Sequence, residues 1–402
     1  MNTYNLTRAS FNLTRSCNLA CSYPCFTNGC IVGDMSWEIA KKSVDFLFKN
    51  ADNKNSVEIG FWGGEPLLKW ELLKKIVLYA KDVSQKTAIP VNFGGTTNGT
   101  LLTPEKFDFL DEHKIFFLVS IDGTQDSHDF YRKFVNGQGS HAIIMNNMTE
   151  VLKKWPFYRP RMSLSANNVH RFYDDVKYLV DFGFKYIIFS PVYESGWTDE
   201  KWNIFEEQGY KVIDFIVGKG IEIEHFKSYM GTDNSKWPCG AGRNYIGIDI
   251  DGAMYPCHRF CKFDSILPWQ ENKVCIGHID HGITNPNFME NFINFDPQCG
   301  ACVFVESTPC HGGCFAINYE FTGDITIPYI GLCKYVEKQK RISEYYSSKI
   351  EHLPARNKGD CICNFEHYTG PIVEQPHTIS LETIALLLSD LNNRVSRLEG
   401  NR

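Results

Sequence analysis

The sequence lacks the features that would place its protein in a membrane or on nucleic acid. It contains no run of about 18 apolar residues, which excludes a transmembrane helix. Residues 1–17 contain no apolar stretch of the kind found in secretory signal peptides, so we expect a cytoplasmic protein. Acidic residues outnumber basic ones, 47 against 41, and the net charge of -6 argues against a nucleic-acid-binding protein.

What the sequence does have in excess is cysteine, with 15 among 402 residues. Three cysteines lie within residues 17–25, nine between 239 and 333, and the others are Cys30, Cys361 and Cys363. Closely spaced thiols in a chain without an export signal indicate metal or iron–sulfur ligands rather than disulfides. We expect Cys30, Cys361 and Cys363 to be free thiols.

Strand-like and helix-like segments alternate over residues 1–221. Runs typical of strands lie near 9–14 and at 57–62, 91–97, 115–121, 161–166 and 186–192, and helical periodicity follows at 36–49, 70–84, 103–113, 142–154, 170–182 and 201–217. This alternation predicts an α/β fold with a parallel sheet and right-handed crossovers. Six such units are too few for a closed eight-stranded barrel, so we predict a partial one with its site at the carboxyl ends of the strands.

The remainder of the chain has a different pattern. Glycine, proline, cysteine and aromatic residues rise over 222–350, which predicts a second module of short elements held together by metal as much as by a core. Residues 354–379 contain three prolines and are predicted to be a linker. A helix is predicted over 380–400, with apolar residues from Leu381 to Leu398 at alternating spacings of three and four. That face could pair two chains as a homodimer or pack on the barrel.

A first group of cysteines, Cys17, Cys21 and Cys25, ends the first predicted strand. Three thiolates can hold three irons of a 4Fe–4S cluster and leave the fourth iron open to chelate a ligand. Three structural thiols without a redox function are the alternative interpretation. Pro24 adds one residue between the second and third cysteines relative to the common Cys-x3-Cys-x2-Cys spacing, and a turn can absorb it.

The segment CNLAC, followed by Tyr23 and Cys25, resembles the radical S-adenosylmethionine (SAM) enzymes. In that family the open iron binds the amino and carboxylate groups of SAM, and reductive cleavage of SAM gives a 5′-deoxyadenosyl radical. The resemblance implies that Tyr23 contacts the adenine. It also extends to polar residues that follow later strands in order and would contact SAM: Gly63, Gly64, Glu65 and Pro66 of a GGEP motif, then Asn98, Ser120, Asp122, Ser165 and Asn167. In the family, Glu65 and its neighbouring backbone would hold the SAM ammonium group.

A second group of cysteines resembles the SPASM domain, the C-terminal extension of peptide-modifying radical SAM enzymes. Its pattern is Cys-x12-Gly-x4-Cys, then Cys-x2-Cys-x7-Cys-x3-Cys and a last Cys, formed here by Cys239, Gly252, Cys257, Cys299, Cys302, Cys310, Cys314 and Cys333. The resemblance implies two auxiliary 4Fe–4S clusters. Cys299, Cys302, Cys310 and Cys333 would hold the outer cluster, and Cys239, Cys257 and Cys314 the inner one. The fourth inner ligand could be Cys261 or Cys275, or that iron could be open. Structural zinc is the alternative for the whole group.

Four histidines are candidates for a functional or a structural position. His258 follows Cys257 at the position where the related anaerobic sulfatase-maturating enzymes have a catalytic Asp, so the resemblance implies a base or proton relay. A hydrogen bond to a cluster sulfur is the alternative, and the exchange of Asp for His argues against sulfatase maturation. His311 is expected to pack rather than to bind metal. His128 and His141 are predicted to lie on the surface.

Together these resemblances predict an enzyme that modifies a ribosomal peptide by radical chemistry, with thioether formation as the first expectation. The required cofactors are SAM and three 4Fe–4S clusters, and the implied electron donor is a ferredoxin or flavodoxin. About ten residues precede the first predicted strand, too few for the leader-binding domain of many such enzymes, so a separate leader-binding protein could be needed. The alternatives are a dehydrogenase of a small alcohol or thiol, and a non-enzymatic iron–sulfur protein that serves in electron transfer or as a scaffold.

Overall fold

A computed structural model describes most of the first 350 residues. The described residues are 5–23, 33–51, 56–156, 158–224, 226, 240–262, 269–285, 299, 302, 310 and 312–350. The predicted linker and C-terminal helix lie outside them, as do Cys25, Cys30, Cys239, His311, Cys361 and Cys363. No helix in the described part of the chain is long and apolar enough to cross a membrane.

The first half is the predicted partial barrel. Its parallel strands are β1 (Arg8–Thr14), β2 (Val57–Gly63), β3 (Val91–Thr97), β4 (Ile115–Ser120), β5 (Pro160–Leu164) and β6 (Tyr186–Pro191). They pair in sequence order, with Phe11 opposite Phe61 and Ile59 opposite Phe93. The α/β fold class predicted from the alternation is therefore confirmed.

Seven α-helices cover this part of the described chain: α1 (Trp37–Lys49), α2 (Trp70–Thr87), α3 (Pro104–Glu112), α4 (Gln125–Tyr131), α5 (His141–Lys154), α6 (Phe172–Phe182) and α7 (Asp199–Ile216). Local sequence fixes where several begin. The Ser36 and Thr103 hydroxyls accept hydrogen bonds from Ile39 N and Lys106 N and so cap α1 and α3. Pro104 occupies the first turn of α3, where its missing N–H costs nothing.

Alternation along each strand separates two faces of the sheet. Phe11, Phe61 and Phe117 are fully buried against the helices. The residues between them face the barrel interior and are largely polar or small, as with Ser10, Gly60 and Ser120. The interior face of the sheet is therefore suited to a ligand rather than to a second apolar core.

The sheet continues beyond residue 221. Strand β7 (Glu222–Ile223) pairs with β6, and β8 (Tyr245–Ile248) pairs in parallel with β1 at the opposite edge. Short strands β9 (Ala253–Tyr255), β10 (Gly277–His278) and β11 (Gly282–Ile283) extend that edge. The barrel and the Cys-rich region thus share one sheet, and the domain division at 221/222 stays a prediction.

Two helices follow, α8 (Phe315–Thr322) and α9 (Ile330–Ile350). Helix α9 packs along α7, where Lys338 Nζ lies 2.7 Å from Glu206 Oε2. The composition of this region predicts only short elements. The 21-residue helix α9 departs from that prediction.

The surface assignment of His128 and His141 is wrong, because they are 0% and 5% exposed. His128 lies on α4, a helix that periodicity did not predict, and its Nδ1 accepts a hydrogen bond from Asp122 N. His141 Nε2 contacts Gly123 O. Both rings therefore anchor the turn that follows β4.

Candidate functional site

Two loops meet at the carboxyl ends of β1 and β2. Gly64 N donates to Thr14 O at 2.8 Å, and Glu65 N donates to Ser16 O at 2.9 Å. A Cβ on Gly63 would lie 2.2 Å from Thr14 O, and one on Gly64 would lie 2.2 Å from Ser16 O. Only glycine permits this approach, so the GGEP segment is held directly against the residues that lead into Cys17.

The described cysteines of the first group, Cys17 and Cys21, are half-buried beside this contact. Cys17 Sγ accepts from Leu19 N at 3.4 Å and lies 3.7 Å from Asn98 Nδ2. Burial raises the pKa of the Cys17 thiol to about 11, although both hydrogen bonds act to lower it. Metal coordination deprotonates a thiol outright, and N–H donors then stabilise the thiolate.

Glu65 connects the ends of β2 and β3. Its carboxylate is fully buried, with Oε1 accepting from Leu67 N and the Thr97 hydroxyl and Oε2 accepting from Asn98 N at 2.7 Å. Burial raises the pKa of Glu65 to about 7 against the effect of these donors. The carboxylate therefore positions Asn98 beside Cys17, and its contact with a SAM ammonium group stays a prediction. Pro66 begins the short 3-10 helix that follows and is buried.

Tyr23, from the cysteine loop, is enclosed by the barrel. Its hydroxyl donates to Asp122 Oδ2 at 3.0 Å, and its ring stacks on Tyr131 with centroids 4.1 Å apart. Asp122 also pairs with Arg132, whose Nε lies 2.6 Å from Oδ2. Although burial acts to raise it, the positive charge of Arg132 holds the pKa of Asp122 below its usual value. The Asp122–Arg132 pair therefore holds the cysteine loop in place through the hydroxyl of Tyr23.

Tyr131 is a residue that the sequence analysis missed, and it gathers the residues that follow β5. Its hydroxyl lies 2.6 Å from Ser165 Oγ and accepts from Asn167 Nδ2 at 3.2 Å. Ser165 is fully buried, Asn167 is exposed, and Ser120 is 6% exposed at the end of β4. All predicted rim residues thus lie on one edge of the barrel, but their direct contact with SAM stays a prediction.

The Cys-rich region meets the barrel at His258. His258 Nδ1 lies 2.5 Å from the Tyr245 hydroxyl, and the His258 ring stacks on Trp62 with centroids 3.7 Å apart. Trp62 directly precedes Gly63, so the segment after Cys257 contacts the strand that carries the GGEP motif. Burial, followed by the charges of three arginines, lowers the pKa of His258 to about 3 and leaves the ring neutral at pH 7.

The described cysteines of the second group are all reduced. Cys310 Sγ accepts hydrogen bonds from the backbone of Gly312 and Gly313. Cys333 lies in the first turn of α9. Its pKa is raised first by burial and then by the Cys310 and Cys302 thiols. The three cysteines are therefore close enough to interact. Among the residues that the structure describes, no three His, Cys, Asp or Glu side chains form a site for a single metal ion.

Three more buried cysteines surround the turn after β9. Cys257 is 8% exposed, and a Cβ on Gly247 would lie 2.7 Å from its carbonyl carbon. Cys261 Sγ donates to Cys257 O at 3.8 Å, and Cys275 Sγ donates to Gly277 O at 3.1 Å. Burial raises the pKa of both the Cys261 and the Cys275 thiol, although backbone hydrogen bonds at Cys275 act to lower it. Gly252 of the predicted pattern lies in the turn between β8 and β9 with a φ of +93°.

The donor chemistry fits an iron–sulfur cluster and a small zwitterionic ligand at the barrel rim. Cys17 and Cys21 present half-buried sulfur atoms, and Asn98 supplies an N–H donor to one of them. The GGEP backbone lies alongside, so its polar groups can reach a ligand on the cluster. Cys25 lies outside the described residues, and its place as third ligand stays a prediction.

Comparison with known proteins agrees with this chemistry. Residues 11–159 match the model of the radical SAM superfamily. A cysteine-type anaerobic sulfatase-maturating enzyme from Clostridium novyi is 24% identical over 74% of this chain and 85% of its own length. The radical SAM cyclopropyl synthase TigE from Paramaledivibacter caminithermalis is 26% identical over 83% of this chain and 74% of its own length.

A solved structure shares the fold over nearly the whole described chain. The native anSMEcpe structure with bound AdoMet and Cp18Cys peptide superposes with a TM-score of 0.68 at 20% identity. The match covers 86% of this chain and 98% of that one. It therefore extends beyond the barrel into the Cys-rich region.

Proposed function

We propose that the chain is a radical SAM enzyme that matures a ribosomally made peptide. Its residues 11–159 match the model of that superfamily. The observation that carries this proposal is the contact between the Cys17 loop and the GGEP loop, because it brings cluster ligands and a ligand-binding backbone to one rim. A peptide substrate is supported by anSMEcpe, because its structure contains a bound peptide and the match covers 98% of that chain.

In this proposal Cys17, Cys21 and Cys25 hold the cluster, and the GGEP backbone with Asn98 orients SAM. When bound, cluster and SAM supply a 5′-deoxyadenosyl radical that can abstract hydrogen from a peptide carbon. The barrel itself contributes position and exclusion of water. Glu65 fixes the end of β3 through Asn98 N, and Asp122 fixes the cysteine loop through Tyr23. Both are buried, so neither has to reorganise when a ligand binds.

The Cys-rich region is proposed to hold two auxiliary 4Fe–4S clusters with the ligand sets implied by the sequence. The N–H donors on Cys310 and the proximity of Cys302 and Cys333 support the outer set. Cys257, Cys314 and Cys239 would hold the inner one. Since Cys261 and Cys275 donate to carbonyl groups, we propose that neither completes it, which leaves an iron free for a substrate thiolate. Sulfur–carbon bond formation is therefore the proposed outcome.

Three partners follow from the proposal. A ferredoxin or flavodoxin would deliver the electron, and a separate protein could present the leader of the peptide. The predicted helix over 380–400 could join two chains. His258 remains the proposed proton acceptor near Cys257, although burial and three arginines lower its pKa to about 3 and make it a weak base at pH 7.

The test is anaerobic reconstitution followed by two measurements. The protein should hold about twelve irons in three 4Fe–4S clusters. With SAM and dithionite it should form 5′-deoxyadenosine, and peptides from short Cys-rich reading frames near its gene should lose two mass units as a thioether forms. One or two zinc atoms with little iron would contradict the cluster assignment. Deoxyadenosine without any change in such peptides would contradict the peptide proposal alone.

A further inference from the structure

One arginine in the barrel interior forms no ion pair and no side-chain hydrogen bond with the described residues. Arg161 lies on β5 between Pro160 and Met162, and Met162 and Leu164 are both 1% exposed on the helix-facing side. Because side chains alternate along a strand, Arg161 faces the interior. It pairs in register with Ser120, the last residue of β4, which places it just below the rim.

The two arginines whose charges lower the pKa of Arg161 are themselves neutralised. Arg132 pairs with Asp122, and Arg259 pairs with Glu194 and with Glu320, whose Oε2 is 2.8 Å away. For Arg161, no carboxylate within the described residues lies at ion-pair distance, and its guanidinium makes no hydrogen bond there. Arg161 is half-buried in this position.

The surroundings of Arg161 make this arrangement unfavourable without an anion. Its pKa is lowered first by burial and then by Arg132, while the charges of Asp122 and Glu224, neither at ion-pair distance from Arg161, act to raise it. A desolvated cation that no carboxylate contacts destabilises a fold, whereas a ligand carboxylate would relieve that cost by accepting two N–H hydrogen bonds. The position is therefore that of a residue built to meet an anion.

The location indicates which anion. Arg161 and Arg259 both act on the pKa of His258, so the three side chains border the same part of the interior. That part lies between the Tyr23–Asp122 contact and the segment after Cys257. On the sheet, β5 is separated by two strands from β2, which carries the GGEP loop. A peptide held between the rim and the Cys-rich region would pass Arg161.

We propose that Arg161 binds a carboxylate of the peptide substrate, so that the enzyme selects peptides with an acidic residue near the reacting carbon. This inference rests on the proposed function, since it specifies the substrate of the same site. Arg161 is a specificity-determining residue in this account. The carboxylate of SAM is the competing source of the same chemistry, and the experiment separates the two.

The experiment uses the reconstituted full chain, immobilised with SAM under anaerobic conditions. Two mixtures of short synthetic peptides are applied, identical except that one fixed position is Asp in the first and Asn in the second. We expect the wild type to retain the Asp mixture about tenfold better, as a charge-assisted bidentate pair would give. Arg161→Gln should abolish the preference, Arg161→Lys should keep part of it, and Arg161→Glu should reverse it. Arg243→Gln removes the same charge at an exposed position and should change nothing.

The SAM arm uses equilibrium binding of SAM to the same proteins. We expect Arg161→Gln to leave the dissociation constant of SAM within about twofold. A tenfold weakening would assign Arg161 to SAM and overturn the proposal. Retention of both peptide mixtures without preference would also overturn it while leaving the peptide function intact. If neither mixture is retained although SAM binds, the peptide function itself is contradicted.

Discussion

The barrel and the Cys-rich region share a sheet but are stabilised in different ways. In the barrel, strands of five to seven residues bury continuous apolar faces, and Phe11, Phe61 and Phe117 are fully enclosed. In the Cys-rich region, strands β8 to β11 have two to four residues and pack around a small core that includes three thiols. We therefore infer that the barrel can form from its own side chains, and we predict that the second region needs additional ligands.

The two regions are joined by charge as well as by β8. Glu194, after β6, meets Arg259 of the Cys-rich region, and Arg259 with Lys262 meets Glu320 on α8. Polar contacts of this kind fix geometry more than they add stability. We infer that the barrel sets the overall fold and that this cluster of charges sets how the cysteines are placed over its rim.

The variant with the largest expected effect should lose SAM cleavage while the barrel stays folded. Replacing Cys17, Cys21 and Cys25 with Ala should lower 5′-deoxyadenosine formation by more than about 100-fold, beyond the loss typical of residues that only support a ligand. The free energy of unfolding should change little, because the described thiols Cys17 and Cys21 are half-buried in a loop. Iron should fall by about four atoms per chain and stay in the auxiliary clusters.

Single variants provide the control for that result. Cys30→Ala should retain deoxyadenosine formation, and Cys25→Ala should abolish it. The reverse outcome would show that Cys30, and not Cys25, is the third ligand. The assignment from sequence spacing would then be wrong at that position alone.

The second effect tests whether the barrel depends on its buried ion pair. Asp122→Ala should lower the free energy of unfolding by about 3–5 kcal/mol, since it leaves Arg132 charged and unpaired in the interior. Ser163 N and the Tyr23 hydroxyl would lose their acceptor as well. Denaturant unfolding measures the loss. Asp108→Ala, which breaks an exposed pair with Lys154, should cost less than about 1 kcal/mol, and equal losses would contradict the prediction.

The third effect is a pH dependence within the barrel. Asp175 is 1% exposed, and burial raises its pKa to about 6 although Thr124 donates to it. The folded protein therefore binds this proton more tightly than the unfolded chain, and stability should fall as pH rises from about 4 to 6. Asp175→Asn should remove that fall and gain up to about 3 kcal/mol at pH 7. A gain that persists at pH 4 would show that charge is not the cause.

Much of this could be predicted from the sequence where a local pattern determines the structure. The six strands follow from period-2 apolar runs, and the cysteine and GGEP loops follow from residues adjacent in the chain. The pairing of β8 with β1 joins residues more than 230 positions apart, so no local pattern contains it. The same reason explains why no sequence pattern indicates Tyr131, Trp62 or Tyr245. Each of them contacts site residues that are distant in the sequence.

His128 and His141 show a second limit. Polar residues between a turn and a helix are usually exposed, but both rings find backbone or hydroxyl partners around Gly123 and Ser140. Burial of a polar group depends on partners that the sequence does not reveal. Arg161 is the opposite case, since the sequence shows its charge, and only the structure shows that no carboxylate of the described residues lies at ion-pair distance.

The smallest effect tests the junction between the two regions. Glu320→Gln removes one carboxylate that meets both Arg259 and Lys262, while Glu194 still pairs with Arg259. Because α8 begins directly after Cys314, loosening this helix should free the Cys-rich region without unfolding the barrel. We expect a cost of about 1–2 kcal/mol, seen as roughly tenfold faster hydrogen exchange over 253–262, with β2 unchanged. Glu337→Gln, which breaks a more exposed pair with Arg341 on α9, is the matched control and should change neither segment. Equal acceleration in β2 would show that the two regions unfold as one unit, and the contrast between a self-sufficient barrel and a ligand-dependent second region would then be incorrect.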